Sequence, residues 1–329
     1  MIQFSIIIPI YNRPDELDEL LGSLIEQEPI FEVIVVEDGS SNRSDGVVDK
    51  YSNSLTIKYI YQSNTGPAMA RNRGVEEAVG EWLIILDSDT MLPAEYILNA
   101  QRGVEGGDID FFGGADCEHP SFTAMQKAIN YSMTSPLSSG GIRGSKKSMD
   151  KFYPRSFNMG VRRDIFNSVG GFSNMRFGED IDLSYRIIAA GGRSAFLPDV
   201  WLYHKRRANL RQFFKQLYNS GIARIVLSLN HPGSLKLVHT LPAVFLLGVL
   251  FLILSAPICP WSLLPILLLA VVIFIDALLR CSNLKVAMLA VATTITQLVS
   301  YGAGFISGVW NVLILKRKKY RAFSRTFYD

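Results

Sequence analysis

Short apolar runs alternate with helical stretches over the first two hundred residues. "FSIIIPI" (4–10), "FEVIVV" (31–36) and "WLIIL" (82–86) carry almost no polar positions. Runs of that kind predict strands buried on both faces. "LTIKYIYQS" (55–63) alternates and predicts another strand; "DIDFFGGAD" (108–116) and "AFLPDVWLY" (195–203) predict two more. Between the first strands, Pro14 opens "PDELDELLGSLIEQ" (14–27), where Leu17, Leu20, Leu21 and Leu24 recur at helical spacing. Proline and acids in a first turn are helix-start chemistry. "GPAMARNRGVEEAVG" (66–80) predicts a helix that Gly80 ends, and "FGEDIDLSYRIIAAGG" (177–192) a turn and a helix stopped by Gly191. Strand–helix alternation with apolar strands predicts an α/β unit, a mostly parallel sheet flanked by helices. Residues 136–154, rich in Pro, Gly, Ser and Lys, predict a long mobile loop, either a connector or a substrate lid.

The pattern changes near residue 207. Residues 208–230 mix aromatics with Arg and Lys, as in a helix lying on a membrane interface or an ordinary surface helix. Three apolar segments follow: Leu237–Ala256, Leu263–Leu279 with one charged residue, Asp276, and the uncharged Val286–Leu315. Crossing a bilayer takes about 20 apolar residues. These segments therefore predict an all-α membrane region with two to four crossings. Asp276 sits one turn before Arg280, which suggests a snorkelling pair near the interface. The basic clusters "HKRRANLR" (204–211) and "KRKKYR" (316–321) flank this region, and the positive-inside rule assigns both to the cytoplasm. Three simple crossings would separate them. Either the last segment doubles back near "YGAGFISG" (301–308), or one segment is re-entrant, or the rule fails. The expected organisation is a catalytic domain over 1–206, an interfacial helical linker over 207–235, membrane helices over 236–315 and a basic tail over 316–329.

Charge sharpens the division. Residues 1–204 carry 18 Lys and Arg against 28 Asp and Glu; residues 205–329 carry 15 against 2. An acidic half joined to a basic, apolar half suggests a domain tethered to a membrane surface. The basic residues flank apolar runs rather than forming their own domain, so no nucleic-acid partner is expected. The three cysteines are widely spaced and suggest neither a disulfide framework nor a zinc site. No signal-peptide pattern opens the chain, so the N-terminal half is expected to be cytoplasmic.

The candidate chemistry lies at strand ends. In "LIILDSDT" a buried strand runs straight into Asp87 and Asp89. Burying unpaired charge is costly, and such a pair suits a hard divalent cation, Mg²⁺ or Mn²⁺, completed by phosphate oxygens and water. In sheets of this type ligands bind beyond the carboxyl ends of the strands. Asp38, ending "VIVVED", should therefore share a crevice with Asp87 and Asp89.

Four blocks occur in order: "SIIIPIYNR", "VIVVEDGSS", "GPAMARNRGVEEAVGEWLIILDSDT" and "VGGFSNMRFGEDIDLSYRIIAAGG". Together they resemble the family 2 glycosyltransferases, inverting enzymes of the GT-A fold, over about residues 4–205. The resemblance implies that Pro9, Tyr11 and Asn12 frame a nucleotide base pocket. It implies that Asp38 accepts hydrogen bonds from the base, although capping the Gly39–Ser40 turn is an ordinary role for such an acid. Arg71 and Arg73 would lie near the nucleotide or diphosphate, or form a solvated helix face. Asp87 would contact the ribose or share the metal, and Asp89 would be the direct metal ligand. In Glu179–Asp180 the Asp would be the general base; acids at a helix start also serve as caps. Asp182, two residues on, should face elsewhere. A histidine near His204 joins the metal in some related enzymes; a surface or interfacial histidine is the alternative.

The implied activity moves a sugar from a nucleotide-diphosphate donor to a hydroxyl of a membrane-associated acceptor. That acceptor would be a lipid-linked glycan in cell-surface polysaccharide or glycolipid synthesis, since tethering concentrates a membrane substrate. A polyprenyl phosphate acceptor and a non-catalytic membrane scaffold are the competing expectations.

Overall fold

The computed structural model describes residues 3–139 and 152–317. The middle of the 136–154 connector and most of the basic tail lie outside the described residues. The chain forms two compact units, one from Met1–His119 and Lys146–Lys205, the other from Pro120–Ser145 and Arg206–Asp329.

The first unit opens with β1 (Phe4–Ile10), α1 (Pro14–Leu24), β2 (Phe31–Asp38), α2 (Asp45–Tyr51), β3 (Ile57–Gln62), α3 (Pro67–Glu76) and β4 (Trp82–Leu86). It continues through β5 (Thr90–Met91), α4 (Tyr96–Glu105), β6 (Phe111–Gly113) and β7 (Asp116–Cys117). After α5 (Ala124–Thr134) and α6 (Pro136–Ser139), which belong to the second unit, it resumes. The remaining elements are β8 (Asn158–Arg162), α7 (Arg163–Ser168), α8 (Glu179–Ala189), β9 (Ser194–Phe196) and β10 (Leu202–His204).

A seven-stranded sheet has the order β3-β2-β1-β4-β8-β6-β9. Its first four strands run parallel, and β8 lies antiparallel to both β4 and β6. The expected strand over 195–203 is split: β9 pairs with β6, a turn intervenes at Pro198–Asp199, and β10 joins a three-stranded sheet of order β5-β10-β7. The 108–116 run divides in the same way, into β6 and β7.

Alternating strand residues feed two cores, which is why these strands are apolar throughout. Ile6, Ile8, Val33, Val35, Ile84 and Leu86 pack with the leucines of α1 and with Tyr96 and Ile97 of α4. Ile7, Ile34, Val36, Leu83 and Ile85 form the other core with α3 and with Leu183 and Ile187 of α8. Helix α3 lies close to the sheet because of Gly74. A Cβ there would sit 2.6 Å from Ile7 Cγ2 and 3.2 Å from Val36 Cγ2, both in the packed core. Gly74→Ala should therefore lower stability by about 1–3 kcal/mol, read as a fall in the thermal midpoint.

The second unit adds α9 (Leu210–Asn230), α10 (Leu241–Ser255), α11 (Leu264–Cys281) and α12 (Leu284–Gly308), which a π-helical turn extends over Val309–Ile314. Helix α12 is central, and α5, α9, α10 and α11 each pack against it. It meets α9 at small residues: a Cβ on Gly221 would lie 2.4 Å from the Tyr301 carbonyl oxygen. Helix α12 runs unbroken through "YGAGFISG", so the chain does not double back there. The helices Pro260–Cys281 and Leu284–Ile314 are long and apolar enough to cross a membrane; Leu241–Ser255 is an apolar helix of 15 residues. Asp276 does pair with Arg280, whose Nε donates at 2.9 Å. It also accepts from Tyr131 Oη of α5 at 2.6 Å, a contact the sequence did not announce.

Candidate active site

Register sets the site. Ile10 lies opposite Glu37, and Ile7 opposite Ile85, so β1, β2 and β4 end at one edge of the sheet. Tyr11 and Asn12 follow the end of β1, Asp38 is the last residue of β2, and Asp87 with Asp89 follow the end of β4.

Asn12 adopts a left-handed backbone, φ 54°, which Asn tolerates better than most residues. Its amide donates to Ser40 Oγ at 2.7 Å, and its Oδ1 accepts from Asn42 N at 2.8 Å. The loops after β1 and β2 are thereby held together. Asp38 is buried and shapes the loop before α3. Its Oδ1 accepts from Gln62 Nε2 at 2.8 Å and Thr65 N at 2.9 Å, and its Oδ2 from Gly66 N at 2.8 Å. The carboxylate thus organises the 62–66 turn rather than the Gly39–Ser40 turn.

Strand β10 carries His204 into the crevice by pairing it with Thr90, the residue after Asp89. His204 Nε2 lies 3.3 Å from Asp89 Oδ1, and Nδ1 lies 3.8 Å from Asp116 Oδ2. The Phe157 ring stacks on the imidazole, 4.5 Å between centroids. Ligand atoms of Asp87, Asp89 and His204 all fall within 4.8 Å of one another. Two carboxylates and an imidazole converging so closely form a donor set that fits a divalent cation. The flanking Asp116 and Phe157 are suited to fix the orientation of the ring. Arg13 Nη1 approaches Asp89 Oδ2 at 3.4 Å and also bonds Glu16 at 2.9 Å. Arg13, Asp116 and Phe157 escaped the sequence reading; only Arg13, closing the "SIIIPIYNR" block, carried a signal.

The two arginines of α3 part company. Arg73 is on the surface, paired with Glu76 at 3.1 Å and Glu77 at 2.7 Å. Two positions earlier the helix faces inward. Arg71 Nη2 donates to Asp87 at 2.7 Å and Nη1 to Glu179 at 2.8 Å, with its side chain only 4% exposed. Its guanidinium lies 5.4 Å from the centroid of Phe172, whose own backbone exchanges two hydrogen bonds with Asn72. Thus "ARN" ties β4, the loop before α8 and the start of α8 together. Arg71 is placed in the wall of the crevice, between two acids. Burial pushes the Glu179 carboxyl up to about 7; Arg71 opposes that rise and Asp180 adds to it.

Asp180, beside Glu179, is partly buried. Its Oδ1 accepts from Ile181 N at 2.8 Å, and its Oδ2 lies 3.5 Å from Ser156 N and 3.6 Å from Arg155 Nη1. Asp182 is occupied elsewhere, by Ser173 Oγ at 2.6 Å and Arg186 Nε at 2.9 Å.

A helix-flanked mixed sheet with this acidic, histidine-bearing crevice at its carboxyl edge has the architecture of GT-A glycosyltransferases. Residues 5–170 match the sequence profile of Glycosyl transferase family 2, half the chain, and the protein belongs to that family of enzymes. Among curated proteins, the chain is 36% identical over 110 residues to the poly(ribitol-phosphate) beta-N-acetylglucosaminyltransferase TarS of Staphylococcus aureus, covering 32% of this chain. That match spans 19% of the length of TarS. Glycosyltransferase AglE of Haloferax volcanii is 26% identical over 255 residues, covering 75% of this chain and 81% of AglE. Among solved structures, the mannosyltransferase PcManGT of Pyrobaculum calidifontis, in complex with GDP-Man and Mn²⁺, superposes with a TM-score of 0.64 at 17% identity. The superposition covers 94% of this chain and 87% of that one. Residues 1–349 of S. aureus TarS superpose with a TM-score of 0.52 at 20% identity, covering 97% and 92%. At these identities the likeness establishes the fold.

Proposed function

We propose that the protein transfers a sugar from a nucleoside-diphosphate donor to a hydroxyl of a membrane-associated, lipid-linked glycan, with inversion at the anomeric carbon and dependence on Mn²⁺ or Mg²⁺. Its place would be cell-surface polysaccharide or glycolipid synthesis, with the catalytic unit in the cytoplasm. The observation that carries this is the convergence of Asp87, Asp89 and His204. Support comes from the mannosyltransferase that holds GDP-Man and Mn²⁺ on the same fold. The two apolar helices Pro260–Cys281 and Leu284–Ile314 support a membrane-associated acceptor.

Pro9, Tyr11 and Asn12 frame the base, and the free lone pair of Asp38 Oδ2 accepts from it. Asp89, His204 and Asp87 hold the cation, with Asp87 also within reach of the ribose. When bound, the cation supplies positive charge where the departing diphosphate becomes more negative. Asp180 takes the proton from the acceptor hydroxyl as that oxygen attacks the anomeric carbon. The bond to the diphosphate breaks on the opposite face, which inverts the centre. Glu179 holds the start of α8 against Arg71 and so sets where Asp180 stands.

The test is transfer in membranes supplied with a panel of nucleotide sugars. Activity should require Mn²⁺ or Mg²⁺ and vanish with a chelator. Asp89→Ala should lower it by about 10²–10³-fold, the cost of losing one stabiliser of developing charge, and should weaken Mn²⁺ binding. Undiminished transfer by Asp89→Ala would remove the metal from the mechanism.

A further inference from the structure

The second unit has too few acids to neutralise itself. Lys127, Arg143 and fourteen basic residues from Arg206 onward face only Asp276 and Asp329. Asp276 is already engaged by Arg280 and Tyr131. By composition, then, this unit carries a large excess of positive charge.

Most of its described cations still find some partner. Arg206 donates to Asn130 Oδ1 at 2.8 Å, and Arg317 to Asn311 Oδ1 at 3.1 Å. Arg211 and Lys215, like Lys285 and Lys316, make no hydrogen bond or ion pair among the described residues, and they alone of these four line one groove. They stand four apart on α9 and so share a helix face. Together with Leu210, Phe214 and Thr296 of α12 they line a cavity of about 500 Å³. Phe214, fourth from Leu210 on the same face, is 39% exposed, an apolar ring left beside two uncompensated charges.

We propose that this cavity seats the phosphate headgroup of a membrane lipid. The guanidinium of Arg211 offers paired donors to phosphate oxygens, and the Lys215 ammonium adds a point charge. The Thr296 hydroxyl supplies one more donor. Leu210 and Phe214 cover the first methylenes beyond the phosphate, which a free anion lacks. The site deepens the proposed function and rests on it, because a lipid-linked acceptor presents this combination of phosphate and hydrocarbon.

The full chain, purified in a neutral detergent, is titrated calorimetrically with dihexanoyl phosphatidic acid, dihexanoyl phosphatidylcholine and inorganic phosphate. Phosphatidic acid should bind about tenfold tighter than either comparator, and added salt should weaken it. Arg211→Gln combined with Lys215→Gln should weaken that binding by about tenfold or more, while the charge-preserving pair Arg211→Lys and Lys215→Arg keeps it within about threefold. Equal affinity for the two lipids, equal affinity for inorganic phosphate, or unchanged binding by the glutamine pair would each overturn the site. The comparison among ligands needs only the wild-type chain, so it stands even where a variant misfolds. No nucleotide sugar is present, so a negative result removes the cavity and leaves transfer at the crevice untouched.

Discussion

Asp180→Asn should bind donor with wild-type affinity and turn over about 10²–10⁴-fold more slowly, the range associated with a positioned general base. The substitution keeps the shape of the side chain. Its Oδ1 can still accept from Ile181 N, so the first turn of α8 should stay in place. What it loses is the capacity to take a proton. Steady-state transfer, paired with equilibrium binding of the nucleotide sugar, separates the two effects. Full activity would remove Asp180 as base, and loss of donor binding would assign it a binding role instead.

Arg71→Met should destabilise the protein by about 3–5 kcal/mol, because removing one member of a buried ionic set strands the others. Among the described residues, Arg71 alone is shown bridging Asp87 and Glu179. Methionine fills much the same length and keeps the packing on Phe172, so the loss reports charge rather than a cavity. Its pH dependence distinguishes the two. The folded-state pKa of Glu179 is raised from 4.5 to about 7. A carboxyl raised on folding adds stability below its unfolded value that is lost as pH rises through its folded value. In the wild type that loss should level off above about pH 7. Without Arg71 the folded value rises further, so the thermal midpoint of the variant should keep falling at higher pH. Parallel pH profiles would mean that the arginine acts by packing alone.

Arg71 also shows where sequence reasoning stops. The resemblance implied that both arginines of "GPAMARNRG" lie near the nucleotide, with a solvated face as the alternative, and nothing local separates Arg71 from Arg73. The partner that decides, Glu179, lies 108 residues away. Asp87 and Asp89 were legible because a fully apolar strand runs into them. The parallel strands were legible for the same reason, burial on both faces. Strand β8, "NMGVR", was not: it is five residues long, with a glycine in its centre, and its pairing with β4 and β6 is entirely non-local. Helix α5, "AMQKAINYSMT", hides its apolar face among Gln, Asn, Ser and Thr. Ala128 and Tyr131 on that face pack on helices well over a hundred residues later, and Ile129 and Met133 on Phe213 of α9. His204 came to notice by resemblance; the pairing of β10 with β5 that brings it to Asp89 involves strands of two and three residues, too short to register as a pattern.

Helix α5 has a further cost, measured in time. The Thr293 hydroxyl that donates to the Ala128 carbonyl is made 165 residues after it. At about 5–20 residues per second of synthesis, the wait is roughly 8–33 s. Through that interval Ala128 and Tyr131 are deprived of the α11 and α12 surfaces that later bury them, whereas Ile129 and Met133 meet Phe213 of α9 sooner. The strands on either side, β6 and β8, are meanwhile free to close the sheet around an unsheltered loop. The growing chain is therefore most prone to aggregate before α12 has emerged, and early contact with a bilayer or a chaperone is what would carry it through.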